Sequence, residues 1–128
     1  FLNKDLVLYG IINNAGVNFI NNFIDLKENE FNETMRVNLF SPMLLIRGFL
    51  TKMIEKKEGK IINISSIWSS VGKNGRISYS ISKSSLDTLT RNLAKELAEH
   101  KILVNSVCPG YTDTELTFKN NSEKEFKA

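Results

Sequence analysis

Tyr79 and Lys83 stand four residues apart in a stretch where leucines recur at 86, 89, 93 and 97. Steps of three and four mark one helical face, so the phenol and the amine leave the helix on the same side. A tyrosine beside a lysine can act as an acid/base pair, because the ammonium favours the phenolate. Bringing a phenol from its reference pKa near 10 to about 7 takes roughly 4 kcal/mol of differential stabilisation. One close cation in a partly desolvated site, helped by a second positive group, can supply it. The same spacing also suits an exposed tyrosine stacked on a lysine stem. Ser66 lies 13 residues before Tyr79, where a β-branched strand ends. Its hydroxyl should emerge at the carboxyl edge of a sheet, where open α/β folds bind ligands. A serine and a tyrosine meeting there can hydrogen-bond one carbonyl or hydroxyl oxygen. The alternative for Ser66, and for Ser65 beside it, is a helix cap or turn hydroxyl.

The elements around these residues alternate. Leu6 to Ile12 is an apolar run without period two, expected to be a strand buried on both faces, and it ends in Asn13-Asn14-Ala15-Gly16. Asp25-Leu26-Lys27-Glu28 reads as a helix start, and helical character runs to about Lys57, with a kink or restart expected at Pro42 and a C-cap at Gly59. Lys60 to Ser65 is the second strand, Ser66 to Ser78 a loop, Tyr79 to about Glu99 a helix, and Ile102 to Cys108 the third strand, stopped by Pro109-Gly110. Strand, helix, strand, helix, strand implies right-handed crossovers and a parallel sheet with helices on its faces. Three such strands leave unpaired apolar edges, which suggests a piece of a larger fold. The tail from Lys119 is polar and charged, expected to fray or be disordered.

The 128 residues are 41% hydrophobic and 24% charged, which excludes a fibrous or disordered chain. A net charge of +3 from scattered lysines does not argue for nucleic acid. No apolar stretch in the sequence reaches the roughly 20 residues of a bilayer crossing, so no membrane partner is expected. The single cysteine, Cys108, forms no internal disulfide and reads as a small core residue; with the absent signal-peptide layout it suits a cytoplasmic protein. His100, alone at a helix end, reads as a surface cap, and no metal site is expected.

Asn13-Asn14-Ala15-Gly16 after a strand, Asn38 in a helix, Ser66, Tyr79-x-x-x-Lys83 and Pro109-Gly110 after a strand resemble, in order and spacing, the short-chain dehydrogenase/reductase family, in its branch of single-domain NAD(P)-dependent oxidoreductases. The resemblance runs from Leu6 to about Leu116. It implies a doubly wound, Rossmann-like α/β sheet and hydride transfer between NAD or NADP and a small carbonyl or secondary alcohol. Tyr79 would be the general acid/base, Ser66 would hold the reacting oxygen, and Lys83 would bind the nicotinamide ribose and depress the Tyr79 pKa. Asn38, through its main-chain carbonyl, would position a water leading from Lys83 to solvent. Asn13, Ala15 and Gly16 would lie along the adenosine-side ribose; Pro109, Gly110, Thr112 and Thr114 would line the nicotinamide. The resemblance also implies a homodimer or homotetramer of the full-length protein.

The family's opening strand and Gly-rich turn have no counterpart, since no Gly-x-Gly occurs. Residues 1–128 are therefore expected to be the catalytic middle of a Rossmann-like domain, without its C-terminal cover and inactive alone. A second expectation is a catalytically silent binding or regulatory protein of the same fold. Near the proposed site, Trp68 and Tyr111 could wall a substrate pocket, and Arg76 with Lys73 could attract an anionic group. Ordinary loop packing is the competing reading for all of them.

Overall fold

A computed structural model describes residues 8–114. The strands are β1 (Gly10–Asn13), β2 (Gly59–Ile64) and β3 (Ile102–Val107), and the main helices are α1 (Glu28–Met35), α2 (Ser41–Lys56) and α3 (Ile77–Glu96). All pairings are parallel, in the order β1-β2-β3, with Gly10 opposite Lys60 and Gly59 opposite Ile102. This is the α/β parallel sheet that the alternating pattern predicts.

The core lies between one face of the sheet and two helices. Ile61, Ile102 and Val104 from the strands meet Ile46 and Met53 of α2 and Leu97 just beyond α3, with Leu89 and Leu93 packed alongside. The opposite sheet face leaves Ile12, Leu103 and Val107 exposed. The expectation of strands buried on both faces is thus met on one face only among the described residues. β1 also begins later than the apolar run suggested, and Leu6 and Val7 lie outside the described residues.

Local chemistry explains other departures. Residues Phe23–Asp25 form a 3-10 turn, and α1 starts at Glu28 after Lys27, so Asp25 is not its cap. A π-helical turn, Arg36–Phe40, joins α1 to α2, and Pro42 sits in the first turn of α2, where its missing N–H is tolerated. Ser41 Oγ donates to the Arg36 carbonyl at 2.9 Å. The result is one helix, Glu28–Lys56, of 29 residues, long and apolar enough by length and composition to cross a membrane, which the run-by-run reading of the sequence did not expect. Ile46 and Met53 on its inner face pack against the sheet. Its outer face carries exposed Phe40, Leu44 and Leu45.

α2 ends on Lys57 in the left-handed region, at φ 52°, not on Gly59. Gly59 instead opens β2, where a Cβ would stand 2.8 Å from Met53 Sδ, so close approach of strand and helix requires glycine there. Cys108 is exposed, contrary to its reading as a core residue, because it follows the last β3 position at the strand tip. Residues 119–128, expected to fray, lie outside the described part.

Candidate active site

Strand tips and the start of α3 frame a cavity of about 390 Å³. Ser65 and Ser66 continue β2, and the Ser65 amide donates to the Val107 carbonyl at 2.8 Å, extending the sheet by one step. Ser66 then adopts an extended backbone and caps a 3-10 turn, Ile67–Ser69, with Oγ accepting from the Trp68 amide at 3.3 Å. The cap reading of Ser66 is therefore correct, yet it does not exhaust the residue. The Ser66 hydroxyl also lines the cavity, as does Tyr79, and it favours the ionised form of the Tyr79 phenol. Phenol and serine hydroxyl converge, at the carboxyl edge of the sheet.

Lys83 follows one turn after Tyr79 on α3 and is only 3% exposed. Its Nζ donates to the Ile64 carbonyl at 2.7 Å and lies 5.6 Å from the centre of the Tyr79 ring. Burial draws the amine down to about 8, against the opposing charges of Asp87 and Cys108. Burial also raises the Tyr79 phenol above its ordinary value; the Ser66 hydroxyl and the Arg76 charge pull the other way without cancelling it. Lys83 is not among the groups that shift the Tyr79 phenol in the chain itself. The second cation, Arg76, is the electrostatic influence on the phenol, and Lys83 spends its hydrogen bond on the β2 backbone. Asp87, one turn beyond Lys83, accepts from Ser106 Oγ at 2.6 Å. Burial pushes its carboxyl up, but hydrogen bonds from Ser106, Ser69 and Ser65 outweigh that and hold it below the usual value.

Asn38 is fully buried and clamps the loop after β1. Its Nδ2 donates to the Val17 carbonyl at 2.9 Å and to Ser82 Oγ at 3.0 Å, while Oδ1 accepts from the Val17 amide at 2.9 Å. Ser82 Oγ in turn donates to the Tyr79 carbonyl at 2.7 Å. The side chain of Asn38 thus ties the Gly16-Val17 loop to the turn of α3 that carries Tyr79. Pro42 brings no N–H to the carbonyl four residues back, which belongs to Asn38. A Cβ on Gly16 would lie 3.5 Å from Asn38 Oδ1 and 3.7 Å from Lys83 Nζ, so the loop passes close over the amine.

Asn14, Ala15 and Gly16, with Pro109, Gly110, Thr112 and Thr114, also line the cavity. Asn13 does not. As the partner of Asn63 in the β1–β2 register its side chain points into the core, donating to Asn63 Oδ1 at 2.7 Å, and Asn63 donates to Thr90 Oγ1 at 2.9 Å. Strand parity decides this: Ile11 and Asn13 share the inner face, which leaves Asn14 to the cavity. Asn14, Ser82 and Asp87 are the contributors the sequence reading missed. Parity signals the first, and spacings of three and four from Tyr79 and Lys83 signal the others.

Trp68 and Tyr111 do line the cavity, their rings meeting edge-on with centroids 6.0 Å apart. Lys73 Nζ lies over both rings and donates to the Tyr111 hydroxyl at 2.6 Å. It is therefore a brace for this aromatic corner and, unlike Arg76, does not line the cavity.

A family model described as short chain dehydrogenase matches residues 6–125. The chain belongs to the short-chain dehydrogenase family. Among proteins of this family, the 3-oxoacyl-(acyl-carrier-protein) reductase FabG of Aquifex aeolicus is 38% identical over 107 residues, 84% of this chain and 43% of the relative. The 5-keto-D-gluconate 5-reductase of Escherichia coli is 36% identical over 118 residues, 92% of this chain and 46% of the relative. A gluconate 5-dehydrogenase from Burkholderia cenocepacia, solved with NADP and tartrate, superposes with a TM-score of 0.87 at 28% identity, covering 91% of this chain and 46% of that one. A 4-hydroxyisoleucine dehydrogenase mutant complexed with NADH and succinate gives 0.85 at 36% identity, covering 91% and 50%. The short-chain dehydrogenase chain described here thus spans about half the length of the relatives it matches.

Proposed function

We propose that this chain carries the catalytic centre of an NAD(P)-dependent oxidoreductase that interconverts a small carbonyl compound and a secondary alcohol. The observation that carries the reading is the convergence of the Ser66 hydroxyl and the Tyr79 phenol in one cavity beside the Lys83 amine. Relatives named as reductases and dehydrogenases, and neighbours solved with NADP or NADH, support it.

The residues present suit the nicotinamide half of such a cofactor. Gly16 lies beside Asn38 and Lys83, and Pro109, Gly110 and Thr112 line the same cavity with small side chains. Lys83 would hold the ribose hydroxyls, and Gly110, Thr112 and Thr114 the nicotinamide; Ala15 and Gly16 would border the adenosine-side ribose. When bound, the cofactor supplies or accepts the hydride.

The rest is the work of this chain. In the reducing direction Ser66 donates a hydrogen bond to the substrate oxygen and holds it against the Tyr79 hydroxyl. Tyr79 gives its proton to that oxygen, and in the oxidising direction takes it back. A raised phenol pKa keeps Tyr79 protonated and ready as the acid at neutral pH. As negative charge develops on the phenolic oxygen, Arg76 and the Lys83 ammonium stabilise it. With its pKa near 8, Lys83 can return a proton towards Tyr79 more readily than an ordinary lysine. Asn38 is a positioning residue: its side chain fixes the loop and the α3 turn, and its main-chain carbonyl would hold a water leading from Lys83 to solvent.

The test is a nicotinamide absorbance assay of the full-length protein over a panel of ketones and secondary alcohols, with Tyr79→Phe alongside. Turnover in the wild type and its loss in Tyr79→Phe support the assignment. An unchanged rate in the variant removes Tyr79 as the acid/base and favours the silent binding or regulatory protein if the wild type is inactive as well.

A further inference from the structure

We infer that Asp87 governs the charge of Lys83: docked near the end of β3, its carboxylate holds the amine in its ammonium form and so sets the alkaline limit of turnover. This rests on the Ser66-Tyr79-Lys83 reading above and deepens it to the regulation of that site by pH. Asp87 is not among the described residues that line the cavity. It acts through the amine and not on the substrate, as a positioning residue.

The fold brings the two charges together along the helix and again across the sheet. On α3, Asp87 follows Lys83 by four residues, so both side chains leave one helical face with Cβ atoms roughly 5–6 Å apart. Both then dock on neighbouring steps of the β2–β3 ladder. Lys83 Nζ donates to the Ile64 carbonyl at 2.7 Å, and Ile64 pairs with Val107. Ser106, the residue before Val107, donates its hydroxyl to Asp87 Oδ1 at 2.6 Å. Ser106 shares the inner parity of Ile102 and Val104, which turns that hydroxyl towards α3. Adjacent strands lie about 4.8 Å apart, which keeps the carboxylate within roughly two strand spacings of the amine. Ser65 Oγ, donating to the Lys83 carbonyl at 3.3 Å, fastens this turn of α3 to the end of β2.

Burial gives the pair its leverage. Lys83 is almost wholly buried, so water and salt screen its charge little. Burial draws the amine down to about 8; Asp87 is the first charge acting against that, and Cys108, beyond β3, the second. From α3 the amine also faces the Tyr79 ring, and from β2 the Ile64 carbonyl. Asp87 in turn meets Cys108, whose Sγ lies 3.8 Å from Oδ2, and Arg91 further along α3. Burial works against the carboxylate, but its hydroxyl partners hold it below the usual value, so it is ionised wherever Lys83 titrates. Without that fixed negative charge the amine gives up its proton at a lower pH. A neutral amine no longer stabilises the negative charge that develops on Tyr79, and turnover falls.

The experiment follows kcat/KM against pH in the full-length protein with reduced cofactor, using a ketone that the wild type reduces. Asp87→Asn keeps the shape of the side chain and an acceptor for Ser106 while removing the charge. Its alkaline limb should move to lower pH by roughly one unit. With the wild-type amine near 8, such a shift lowers the ammonium fraction at pH 8 from about one half to about one tenth, a roughly fivefold loss. Asp87→Glu should restore most of the limb, and Asp87→Ser, smaller and likewise uncharged, should shift it in the same sense as Asp87→Asn. Cys108→Ser should move it less; a larger shift there than in Asp87→Asn overturns the assignment to the carboxylate. Unfolding free energies read the same coupling without turnover. The climb of stability with pH, taken relative to Lys83→Met, should begin roughly one unit lower when both proteins carry Asp87→Asn. A limb and a climb that both stay in place overturn the inference. So does a loss of activity equal at every pH, which would make Asp87 a structural residue alone. A climb that moves beneath a fixed limb removes Lys83 from the catalytic reading, and with it the claim on turnover, while the coupling of the two charges stands.

Discussion

Replacing Lys83 by Met should change how the stability of the cofactor-free protein depends on pH. Lys83 is buried, and its pKa falls from 10.5 to about 8. In the unfolded chain it holds its proton to the ordinary value, whereas in the folded chain it releases it near 8. Between these limits the unfolded state binds more protons, so this group makes stability rise with pH. At about 1.4 kcal/mol per pH unit, the interval from about 8 to 10.5 amounts to about 3 kcal/mol. Below about 8 the wild type carries that full cost of a buried ammonium, and above 10.5 it carries none. Met has no such group. The unfolding free energy of the wild type relative to Lys83→Met should therefore climb by about 3 kcal/mol across that window, read by urea unfolding at a series of pH values. The hydrogen bond from Nζ to the Ile64 carbonyl shifts the whole curve but not its slope, because the neutral amine still donates. A difference between the two proteins that stays flat over this range would refute the assignment of a desolvated lysine.

Two further outcomes follow from the buried hydrogen bonds. Asn63→Leu removes the acceptor for Asn13 and the donor to Thr90, leaving the Asn13 amide buried and unpaired; it should cost about 1–3 kcal/mol, seen as a lowered denaturant midpoint with little change in m. Asn38→Ala removes the three hydrogen bonds that hold Val17 and Ser82, so it should lower Tm and also weaken cofactor binding through the released Gly16 loop; calorimetry with NAD and NADP reads the second effect.

Much of this molecule is legible in its residues, and the illegible part has physical causes. Periodic leucines place α3, and β-branched runs place β2 and β3, because burial against one core imposes both patterns. The helix start at Asp25 misled, since a carboxylate followed by Glu28 suits a 3-10 turn as well as a cap. Gly59 looked like a helix end, but a left-handed Lys57 ends α2 and glycine serves the strand–helix contact instead. Within the site, Ser66, Tyr79, Lys83 and Arg76 were visible as types at telling positions. Their electrostatics were not. Whether burial or a neighbouring charge controls Tyr79 depends on packing depth, which no spacing encodes, and burial prevails. The inward turn of Asn13 was readable only once the parity of β1 was fixed by its pairing with β2.

A double-mutant cycle tests the central claim most directly. If Ser66 and Tyr79 act on one substrate oxygen, kcat/KM should fall by roughly 100- to 1,000-fold in Ser66→Ala. It should fall further in Tyr79→Phe, and hardly any further in the double variant, because groups that act as a unit lose their contribution together. Losses that multiply in the double variant, each change costing its full factor whether or not the other is present, would contradict the account.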